Sequence, residues 1–205
     1  MVNAVVHVID DDESVRHALA FLLATSGIPV RVHESGDAFL QTVAGLQAGC
    51  ILTDIRMPGI DGLALQRRLT ELGINLPVIV MTGHGDVPMA VEAMKAGAVD
   101  FIEKPFNDDV LLAAIQTALD RSGEQSQRES EVAQITAKLN GLSVRERQVL
   151  DGLVAGQPNK TIAFDLDISP RTVEIHRANV MTKMGANSLS ELVRMALLTG
   201  LIPAK

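Results

Sequence analysis

The chain has 205 residues, with 18 Lys and Arg, 25 Asp and Glu, five Phe, one Cys and no Trp or Tyr. A single Cys allows no internal disulfide and no thiolate zinc cage, which is typical of a protein in the reducing cytoplasm. Without Tyr or Trp, we do not expect a nucleic-acid surface that stacks bases on aromatic rings. This length suits one large domain or two ordinary ones.

The sequence contains no membrane or export signal. No apolar run approaches the ~18 residues that a membrane span needs. The start, Met1-Val2-Asn3-Ala4, lacks the basic, apolar and small-residue order of a signal peptide. The sequence therefore predicts a soluble, cytoplasmic protein with no membrane partner.

The net charge of −7 is divided unevenly along the chain. Residues 1–120 hold 7 Lys and Arg against 16 Asp and Glu, net −9, whereas residues 121–205 hold 11 against 9, net +2. The acidic part is a poor partner for nucleic acid, and only the second part has the charge to approach DNA. Because that charge is small, we expect DNA binding to need two copies of the chain.

Short apolar runs alternate with amphipathic stretches over residues 1–120, the pattern of βα units on a parallel sheet. The strand-length runs lie at 5–9, 29–33, 50–53, 76–81 and 99–102. Three helical patterns each precede a Gly, which favours helix termination: 14–26 before Gly27, 61–72 before Gly73 and 87–96 before Gly97. Ser35 and Asn107 are the expected N-caps of two more helices, the last ending near Asp120. This alternation predicts an α/β domain, a flavodoxin-like doubly wound sheet with strand order 2-1-3-4-5.

Residues 121–140 separate the two parts. They include the longest polar stretch of the chain, 122–127, and then a weakly helical run with Val132, Ile135 and Leu139. We expect a domain boundary that is part linker and part helix, and the sequence leaves open whether the fifth helix continues through it.

Residues 141–205 show four helix signals and no strand signal, which predicts an all-α domain. Capping-box patterns begin the first and last helices, at Ser143 to Glu146 and at Ser188 to Glu191. Asn159 is the expected N-cap of a short second helix. Ser169-Pro170 begins a third helix that ends near Met184. The tight turn between the second and third helices predicts a helix-turn-helix unit.

Carboxylates, a hydroxyl and an ammonium follow the strands of the first domain. Asp10-Asp11 follows the first strand, Asp54 the third, Thr82 the fourth and Lys104-Pro105 the fifth. The carboxyl ends of parallel strands meet at one edge of the sheet, so these groups should share one pocket. Crowded carboxylates favour a hard cation such as Mg²⁺, and an Asp beside that ion can attack phosphorus.

This set of residues, with Asp54 in the run Thr53-Asp54-Ile55-Arg56-Met57-Pro58-Gly59, resembles the receiver domain of two-component response regulators. The resemblance implies that Asp54 accepts a phosphoryl group, while Thr82 and Lys104 contact its oxygens. It implies a Mg²⁺ site formed by Asp11, Asp54 and the backbone carbonyl of Arg56, with Asp10 assisting through water. Thr82 and Phe101 would form a switch pair, and the Lys104-Pro105 bond would be cis.

The helix that follows Thr82 is the expected output surface. Phosphorylation should draw Thr82 inward and shift the loop 83–86, the fourth helix and the fifth strand. Val91 and Lys95 are expected to be exposed there and to form a dimer interface, with ordinary helix surface as the alternative. His84 in the loop is expected to be solvated, with no catalytic role.

The helix from Ser169 to Met184 carries Arg, Lys, Asn and Thr around the apolar positions Val173, Val180 and Met184, a pattern suited to DNA phosphates and base edges. With the motifs around it, the domain resembles the LuxR-type output domain. The resemblance assigns backbone contacts to Lys160, Arg171, Thr172, His176, Arg177 and Lys183, and base contacts to Glu174, Ile175 and Ala178. Many family members have Lys where this chain has Glu174, which favours contact with a cytosine amino group or rejection of other bases. They have Arg where it has Leu189.

A narrower resemblance, over residues 82–98 and 168–174, is to the nitrogen-fixation regulators of rhizobia. It implies a haem-bearing, oxygen-sensing histidine kinase as partner, with promoters of nitrogen-fixation or microaerobic genes and RNA polymerase as further partners. A regulator of the same architecture in another pathway is the alternative.

Two other classes of protein remain as rivals. A Mg²⁺-dependent phosphatase that forms an aspartyl-phosphate needs a second Asp two residues after the nucleophile, and Arg56 stands there. We therefore expect a regulator and not an enzyme. A pure interaction adaptor would be phosphorylated without binding DNA.

Overall fold

The structure is a computed structural model that describes residues 4–83 and 87–201. The chain divides into two compact units, Met1–Ser126 and Gln127–Lys205. Residues 84–86, which include His84 and most of the expected switch loop, lie outside the described residues.

The first unit contains a five-stranded parallel sheet. Its strands are β1 (Val5–Ile9), β2 (Val30–His33), β3 (Gly49–Asp54), β4 (Val78–Thr82) and β5 (Asp100–Glu103). They are arranged in the order β2-β1-β3-β4-β5, which confirms the predicted flavodoxin-like topology. Because all neighbouring strands are parallel, their carboxyl ends meet at one edge. The strands β1, β3 and β4 are buried throughout, as expected for a sheet covered on both faces.

Helices cover both faces of the sheet. They are α1 (Glu13–Thr25), α2 (Gly36–Leu40), α3 (Gly62–Glu71), α4 (Val87–Lys95) and α5 (Asp108–Asn140), with a short 3-10 turn at Val43–Gly45. One core layer packs β-strand side chains such as Val6 and Leu52 against Leu19 of α1 and Ile115 of α5. The other packs Ile9 and Ile51 against Phe39 of α2 and Leu65 of α3. Alternate residues of each strand therefore enter opposite layers.

The expected caps of this unit are present. The Ser35 side chain accepts a hydrogen bond from Ala38 N, and Asn107 Oδ1 accepts one from Asp109 N at 2.8 Å. Gly27, Gly73 and Gly97 each have a positive φ just after a helix. The chain can turn sharply there because Gly lacks the Cβ that penalises this conformation.

Helix α5 is one continuous helix of 33 residues that includes the polar stretch 122–127. The sequence had left this continuation open. Ser122 is buried, and its Oγ accepts a hydrogen bond from Gly49 N at 3.0 Å. A residue that looked like linker is therefore a satisfied polar contact at the start of β3.

The second unit is helical. It consists of the end of α5, α6 (Val144–Val154), α7 (Asn159–Asp165), α8 (Pro170–Met184) and α9 (Leu189–Leu198), which confirms the four predicted helices. Its core joins Ile135 and Leu139 of α5 to Val149 of α6, Val180 of α8 and Leu192 of α9. The last turns of α5 are therefore part of this unit's core.

Two expected caps of the second unit were wrong in detail. Pro158, not Asn159, is the N-cap of α7 and makes no side-chain cap, so Asn159 is the first helical residue. Ser188 caps α9 by accepting from Glu191 N, but the Glu191 carboxylate accepts from Asn187 N instead of returning to Ser188. The box at Ser143 and Glu146 is complete.

Candidate functional site

The carboxyl ends of β1, β3 and β5 bring three charged side chains together. Lys104 Nζ lies 2.7 Å from Asp10 Oδ2 and 2.6 Å from Asp54 Oδ1. Asp10 is 1% exposed and Asp54 8% exposed. One ammonium thus bridges two buried carboxylates that come from positions 44 residues apart in the chain. The predicted meeting of these strand ends is present.

Burial and the salt bridges of this cluster shift the pKa values of Asp54 and Lys104 in opposite directions. Desolvation raises the pKa of Asp54, although the hydrogen bond from Lys104 opposes this rise, and the nearby Asp10 adds to it. Burial of Lys104 would lower the pKa of its ammonium, but hydrogen bonds to Asp10 and Asp54 hold that pKa above its ordinary value. Lys104 therefore stays protonated, and burial makes the ionised form of Asp54 costly in spite of the bond to Lys104.

Backbone groups hold the two carboxylates in place. Asp12 N donates to Asp10 Oδ1, and Arg56 N donates to Asp54 Oδ2, both at 2.9 Å. Asp12, which follows Asp11 in the chain, is the N-cap of α1. Gly62 starts α3 so close to Asp54 that a Cβ there would stand 2.5 Å from the Asp54 carbonyl oxygen. Only Gly permits this packing of α3 against the strand end.

The oxygen ligands of this edge suit Mg²⁺. Asp54 and Asp10 are in the cluster, Asp11 is exposed beside them, and Arg56 follows two residues after Asp54. Within residues 4–83 and 87–201, no three His, Cys, Asp or Glu side chains are grouped closely enough to hold a metal by themselves. Mg²⁺ usually keeps several waters and takes one or two protein carboxylates, so a small set of oxygens with open positions fits it.

The other residues of the expected phosphoryl site lie nearby in the sheet. Thr82 ends β4, is 3% exposed, and its hydroxyl donates to the Gly83 carbonyl at 3.2 Å. Phe101 lies on β5 and is 43% exposed. The Lys104-Pro105 peptide bond is cis, as predicted.

The outer face of α4 carries the residues of the expected dimer interface. Val91 and Lys95 are exposed, as predicted, and so is Met94. Their participation in a dimer stays a prediction.

In the second unit, α7 and α8 form the helix-turn-helix. Asp167 in the turn has a φ of 53°, a left-handed conformation that Asp tolerates better than most residues. The Ser169 side chain then caps α8 by accepting from Thr172 N, and Pro170 is in the first turn. Gly185 ends α8 with a φ of 68°. The predicted bounds of this helix are therefore confirmed.

The residues assigned to DNA surround the exposed side of α8 and the start of α7. The exposed ones are Lys160, Arg171, Glu174, Ile175, Ala178 and Lys183, and the half-buried ones are Thr172, His176 and Arg177. Val173, Val180 and Met184 face the core, as the apolar pattern predicted. His176 Nδ1 is buried and has no hydrogen-bond partner within the described residues.

Lys183 also has a structural partner that the sequence did not indicate. Its Nζ lies 2.7 Å from Oε2 of Glu146, which is 4% exposed. The hydrogen bond from Lys183, with a second from Ser143 N, lowers the pKa of Glu146 to about 2. The pair joins α8 to α6, so a phosphate contact by Lys183 has to share or replace this bond.

The end of α5 holds the same C-terminal end of α8 as Glu146 does. Lys138 Nζ donates to the Met184 carbonyl at 3.0 Å, where α8 leaves a backbone acceptor unsatisfied. An exposed ion pair at 3.4 Å links Glu131 of α5 to Arg194 of α9. The C-terminal end of α8 is thus held by both α6 and α5.

Comparison with known proteins agrees with this division into two parts. The profile of the family described as response regulator receiver domain matches residues 6–116, and that of bacterial regulatory proteins, luxR family, matches residues 140–196. The transcriptional regulatory protein FixJ of Azorhizobium caulinodans is 60% identical over 199 residues, 97% of this chain and 94% of that protein.

Solved structures are similar as well. Full-length FixJ from B. japonicum is 50% identical, with a TM-score of 0.60 over 99% of this chain and 100% of its own. The response regulator StyR is 40% identical, with a TM-score of 0.84 over 94% of this chain and 98% of its own.

The chain belongs to the two-component response regulators with a LuxR-type output domain. A response regulator of this kind is a phosphorylation-activated transcription regulator, whose partners are a sensor kinase and promoter DNA. The family consists of transcription regulators and not of enzymes. In the described parts of this regulator, no helix is long and apolar enough to cross a bilayer.

Three supporting residues of this response regulator were missed from the sequence. Arg16 donates to the Asp10 carbonyl at 2.8 Å, Glu146 binds Lys183, and Lys138 binds the end of α8. Each acts through a partner on another element. The capping box at Glu146 was recognised, but nothing local indicated that its carboxylate also accepts a lysine 37 residues away.

Proposed function

We propose that Asp54 of this regulator accepts the phosphoryl group of a sensor histidine kinase. The observation that carries the proposal is the ammonium of Lys104, which lies 2.6 Å from Asp54 and 2.7 Å from Asp10 at the strand ends. A carboxylate oxygen of Asp54 attacks phosphorus, and the bond to the kinase histidine breaks. Lys104 then pairs with the phosphoryl oxygens, which are stronger acceptors than the carboxylate.

Asp10, Asp11, Asp54 and the Arg56 carbonyl are the groups that would hold Mg²⁺. The ion, when bound, neutralises charge on the phosphoryl oxygens during transfer. Backbone amides prepare the site: Arg56 N donates to Asp54 and orients it, and Asp12 N donates to Asp10 and orients it. Lys104 offsets one of the two negative charges of Asp10 and Asp54 before any phosphoryl group arrives.

The switch follows from the contacts of Thr82. Among the described residues its buried hydroxyl donates only to the neighbouring carbonyl, at a long 3.2 Å, so a phosphoryl oxygen on Asp54 is a better acceptor. Movement of Thr82 toward Asp54 frees space behind it, into which Phe101 turns from its exposed position. The surface of α4 with Val91 and Lys95 then becomes the dimer interface.

Two copies of α8 then read DNA. Lys160, Arg171, Thr172, His176, Arg177 and Lys183 contact phosphates, and Glu174, Ile175 and Ala178 face bases. A dimer is required because each output domain offers few cations, and paired recognition helices bind half-sites about one helical turn apart.

We also propose the physiological setting. The 60% identity to a FixJ protein supports a haem-bearing, oxygen-sensing kinase of the FixL type as partner, and nitrogen-fixation or microaerobic promoters as targets. RNA polymerase is the partner that makes DNA binding productive, and the regulator acts in the cytoplasm, where the DNA is. The alternative is the same mechanism in another pathway. Binding to a nitrogen-fixation promoter compared with unrelated genomic fragments separates the two.

One experiment tests the core of the proposal. Asp54→Asn should abolish DNA binding that depends on acetyl phosphate and Mg²⁺ in a gel shift, while Glu34→Gln, an exposed acid outside the cluster, should respond as the native chain does. Sedimentation with and without beryllofluoride measures the dimer in the same samples. A full response by Asp54→Asn, or an unchanged monomer with beryllofluoride, contradicts the proposal.

A fragment containing residues 125–205 tests how the unphosphorylated protein is kept inactive. If the receiver masks the output domain, the fragment binds DNA without phosphate. If DNA binding needs dimerisation of the receiver, the fragment does not bind DNA. If the full chain takes up phosphate but never binds DNA, the protein is an adaptor.

A further inference from the structure

A pocket opens at the edge of the receiver sheet opposite to the phosphoryl site. It has a volume of about 320 Å³, and all of its lining residues belong to the first compact unit. Val78, which begins β4, lines the pocket, whereas Thr82 ends the same strand beside the expected phosphoryl site. We call this space the α3–α5 pocket, and it is separate from the cluster around Lys104.

Apolar side chains form one wall of the α3–α5 pocket. Leu69 lies near the end of α3, and Ile74 and Leu76 lie in the loop between α3 and β4. These three side chains belong to the core layer of Phe39 or pack against it, so the wall is fixed by close packing. A wall of this kind suits the hydrocarbon body of a small molecule.

The amide of Gln66 is the polar group of this pocket that the protein itself leaves unpaired. Gln66 is 4% exposed, and its Oε1 is buried without a hydrogen-bond partner within the described residues. Its Nε2 lies beside Gly97, another lining residue, because a Cβ built on Gly97 would stand 3.7 Å from it. Buried side-chain amides are normally hydrogen-bonded. An amide held in a pocket wall without such bonds therefore points to a ligand that pairs with it.

Arg121 of α5 supplies the charge of the pocket, since the other described lining residues are uncharged. Its side chain is exposed and makes no ion pair with another described residue. Two acids flank it on α5, but neither lines the pocket. Asp120 accepts a hydrogen bond from Gln116 at 2.9 Å, and Glu124 is exposed. The Arg121 guanidinium can therefore pair with a carboxylate, to which it can donate two parallel hydrogen bonds.

These features together define a ligand by its chemistry. One cation and no lining carboxylate suit a single negative charge, the apolar wall suits a hydrocarbon body, and Gln66 Nε2 offers a further donor to a carboxylate oxygen. We propose that the α3–α5 pocket binds a small carboxylic acid with an apolar body, whose carboxylate is held by Arg121 and the Gln66 amide. This site is independent of phosphoryl transfer to Asp54.

The test is calorimetric titration of the full-length chain with 2-naphthoate. A ligand of this size should bind with a Kd on the order of 0.1 to 1 mM. Two matched compounds each lack one feature: 2-naphthamide has no charge and acetate has no apolar body. Both should bind at least about tenfold more weakly than 2-naphthoate, because each loses one of the two contributions.

Three variants assign the binding to the pocket. Arg121→Gln removes the charge and should weaken 2-naphthoate binding by about tenfold, whereas Gln66→Leu keeps the size of the side chain and should weaken it by about threefold. Arg67→Gln, which removes an exposed cation of α3 outside the lining, is the control and should bind as the native chain does. Circular dichroism checks that each variant is folded.

A groove beside α1 is the rival site for the same compound. Phe21 and Lys104 are among its lining residues, so it also combines apolar surface with a cation. Phe21 is 73% exposed, and Phe21→Ala should leave 2-naphthoate binding unchanged. Binding that is lost with Phe21→Ala, binding that folded Arg121→Gln retains in full, or no binding by the native chain overturns the inference.

Discussion

The buried polar side chains of the receiver unit form its proposed reaction site, and their burial also destabilises the folded state. Asp10, Asp54 and Thr82 are almost completely buried from solvent. Their polar groups therefore depend on protein partners in place of water. Lys104 supplies the main counter-charge, and the raised pKa of Asp54 indicates that this counter-charge does not fully offset desolvation. Such a site favours a bound cation or phosphoryl group over the empty state.

The raised pKa of Asp54 predicts that Asp54→Asn stabilises the fold. A carboxyl whose folded pKa lies above its unfolded value destabilises the folded state once it ionises in both states. The gain should therefore be present at pH 7 and disappear as the pH falls below about 4, where the carboxyl is protonated in both states. We expect Tm to rise by a few °C, of the order of 2–5 °C, for the variant at pH 7. Glu34→Gln is the control, and a fall in Tm with Asp54→Asn contradicts the argument.

A histidine pair should make the receiver sensitive to mild acid. His7 is 2% exposed, its Nδ1 lies 3.1 Å from Nε2 of His33, and Phe39 packs edge-on against both rings. Burial, with repulsion from His33 and Arg31, lowers the pKa of His7 to about 4, and burial lowers that of His33.

The unfolded chain binds these protons first, so stability should fall as the pH drops from about 6.5 to about 4, by at most about 1.4 kcal/mol per pH unit for each histidine. The double variant His7→Val/His33→Val introduces β-branched residues, which suit strands, and should remove this pH dependence of stability. Denaturant unfolding at several pH values measures how the free energy of unfolding changes with pH. A slope that persists in the variant assigns the effect to other groups.

Among the secondary-structure elements, α5 changes most between expectation and structure. The polar stretch 122–127 is helical, and the next turns belong to the output unit through Ile135, Leu139 and the Lys138 bond to α8. The hydrophobic periodicity of this segment is weak because the first turns of α5 contribute to the receiver core and the last turns to the output core. The boundaries 1–120, 121–140 and 141–205 remain a proposal, and the compact units meet at 126 and 127 instead.

The role of α5 predicts how the output unit tolerates truncation. A fragment starting at residue 127 should fold cooperatively, whereas one starting at 141 should lose most of its stability. Removing a buried Ile or Leu side chain costs about 2–5 kcal/mol each, and a small domain has only about 5 kcal/mol in total. Circular dichroism during thermal unfolding distinguishes the fragments. Equal melting temperatures would show that Ile135 and Leu139 contribute little.

The ion pair between α6 and α8 predicts a second effect. Lys183→Met leaves the buried Glu146 carboxylate without its cation and should lower Tm more than Lys160→Met, whose ammonium is exposed. The double variant Glu146→Gln/Lys183→Met should recover part of the loss, because no buried charge remains.

The lowered pKa of Glu146 fixes the pH window of this contribution. A carboxyl with a folded pKa of about 2 stabilises the fold above its ordinary value near 4.5, and the contribution is lost as the pH falls from 4.5 to 2. If Lys183→Met lowers the Tm as much at pH 2 as at pH 7, the ion pair does not explain the loss of stability.

At the scale of the whole molecule, the uneven charge is the main organising feature. The acidic surplus of −9 lies in the part with the phosphoryl site, and the output part has only +2. Lys183 is engaged with Glu146, so few cations remain for DNA. Activation by pairing two output domains follows from this shortage.

The shortage of cations predicts a modest salt dependence for one output domain. If Lys160, Arg171 and Arg177 neutralise phosphates, log affinity should fall with log salt at a slope of about −3 for the 127–205 fragment and about −5 to −6 for the phosphorylated dimer. Fluorescence anisotropy at several salt concentrations gives both slopes. Equal slopes for fragment and dimer would mean that only one helix contacts DNA.

Particular residues show how far local patterns extend. The five strands, the glycine stops after α1, α3 and α4, and the caps at Ser35, Ser143 and Ser169 followed from sequence because each depends on residues within a few positions. The groups Asp10, Asp54 and Lys104 also followed, because strand order brings strand ends together. The N-cap of α7 was wrong because Asn159 competed with Pro158, and only the path of the chain separates them.

The sequence by itself determined the two-part architecture, the strand order, the charge division and the family of the regulator, since these depend on periodicity, local capping and motif spacing. Only the tertiary structure decided that α5 is continuous into the output core, that Lys183 pairs with Glu146, that Lys138 holds the end of α8, and that Phe164 stands exposed. The physical reason is that each of these features joins or exposes side chains through the packing of separate elements, and that packing has no local signature in the chain.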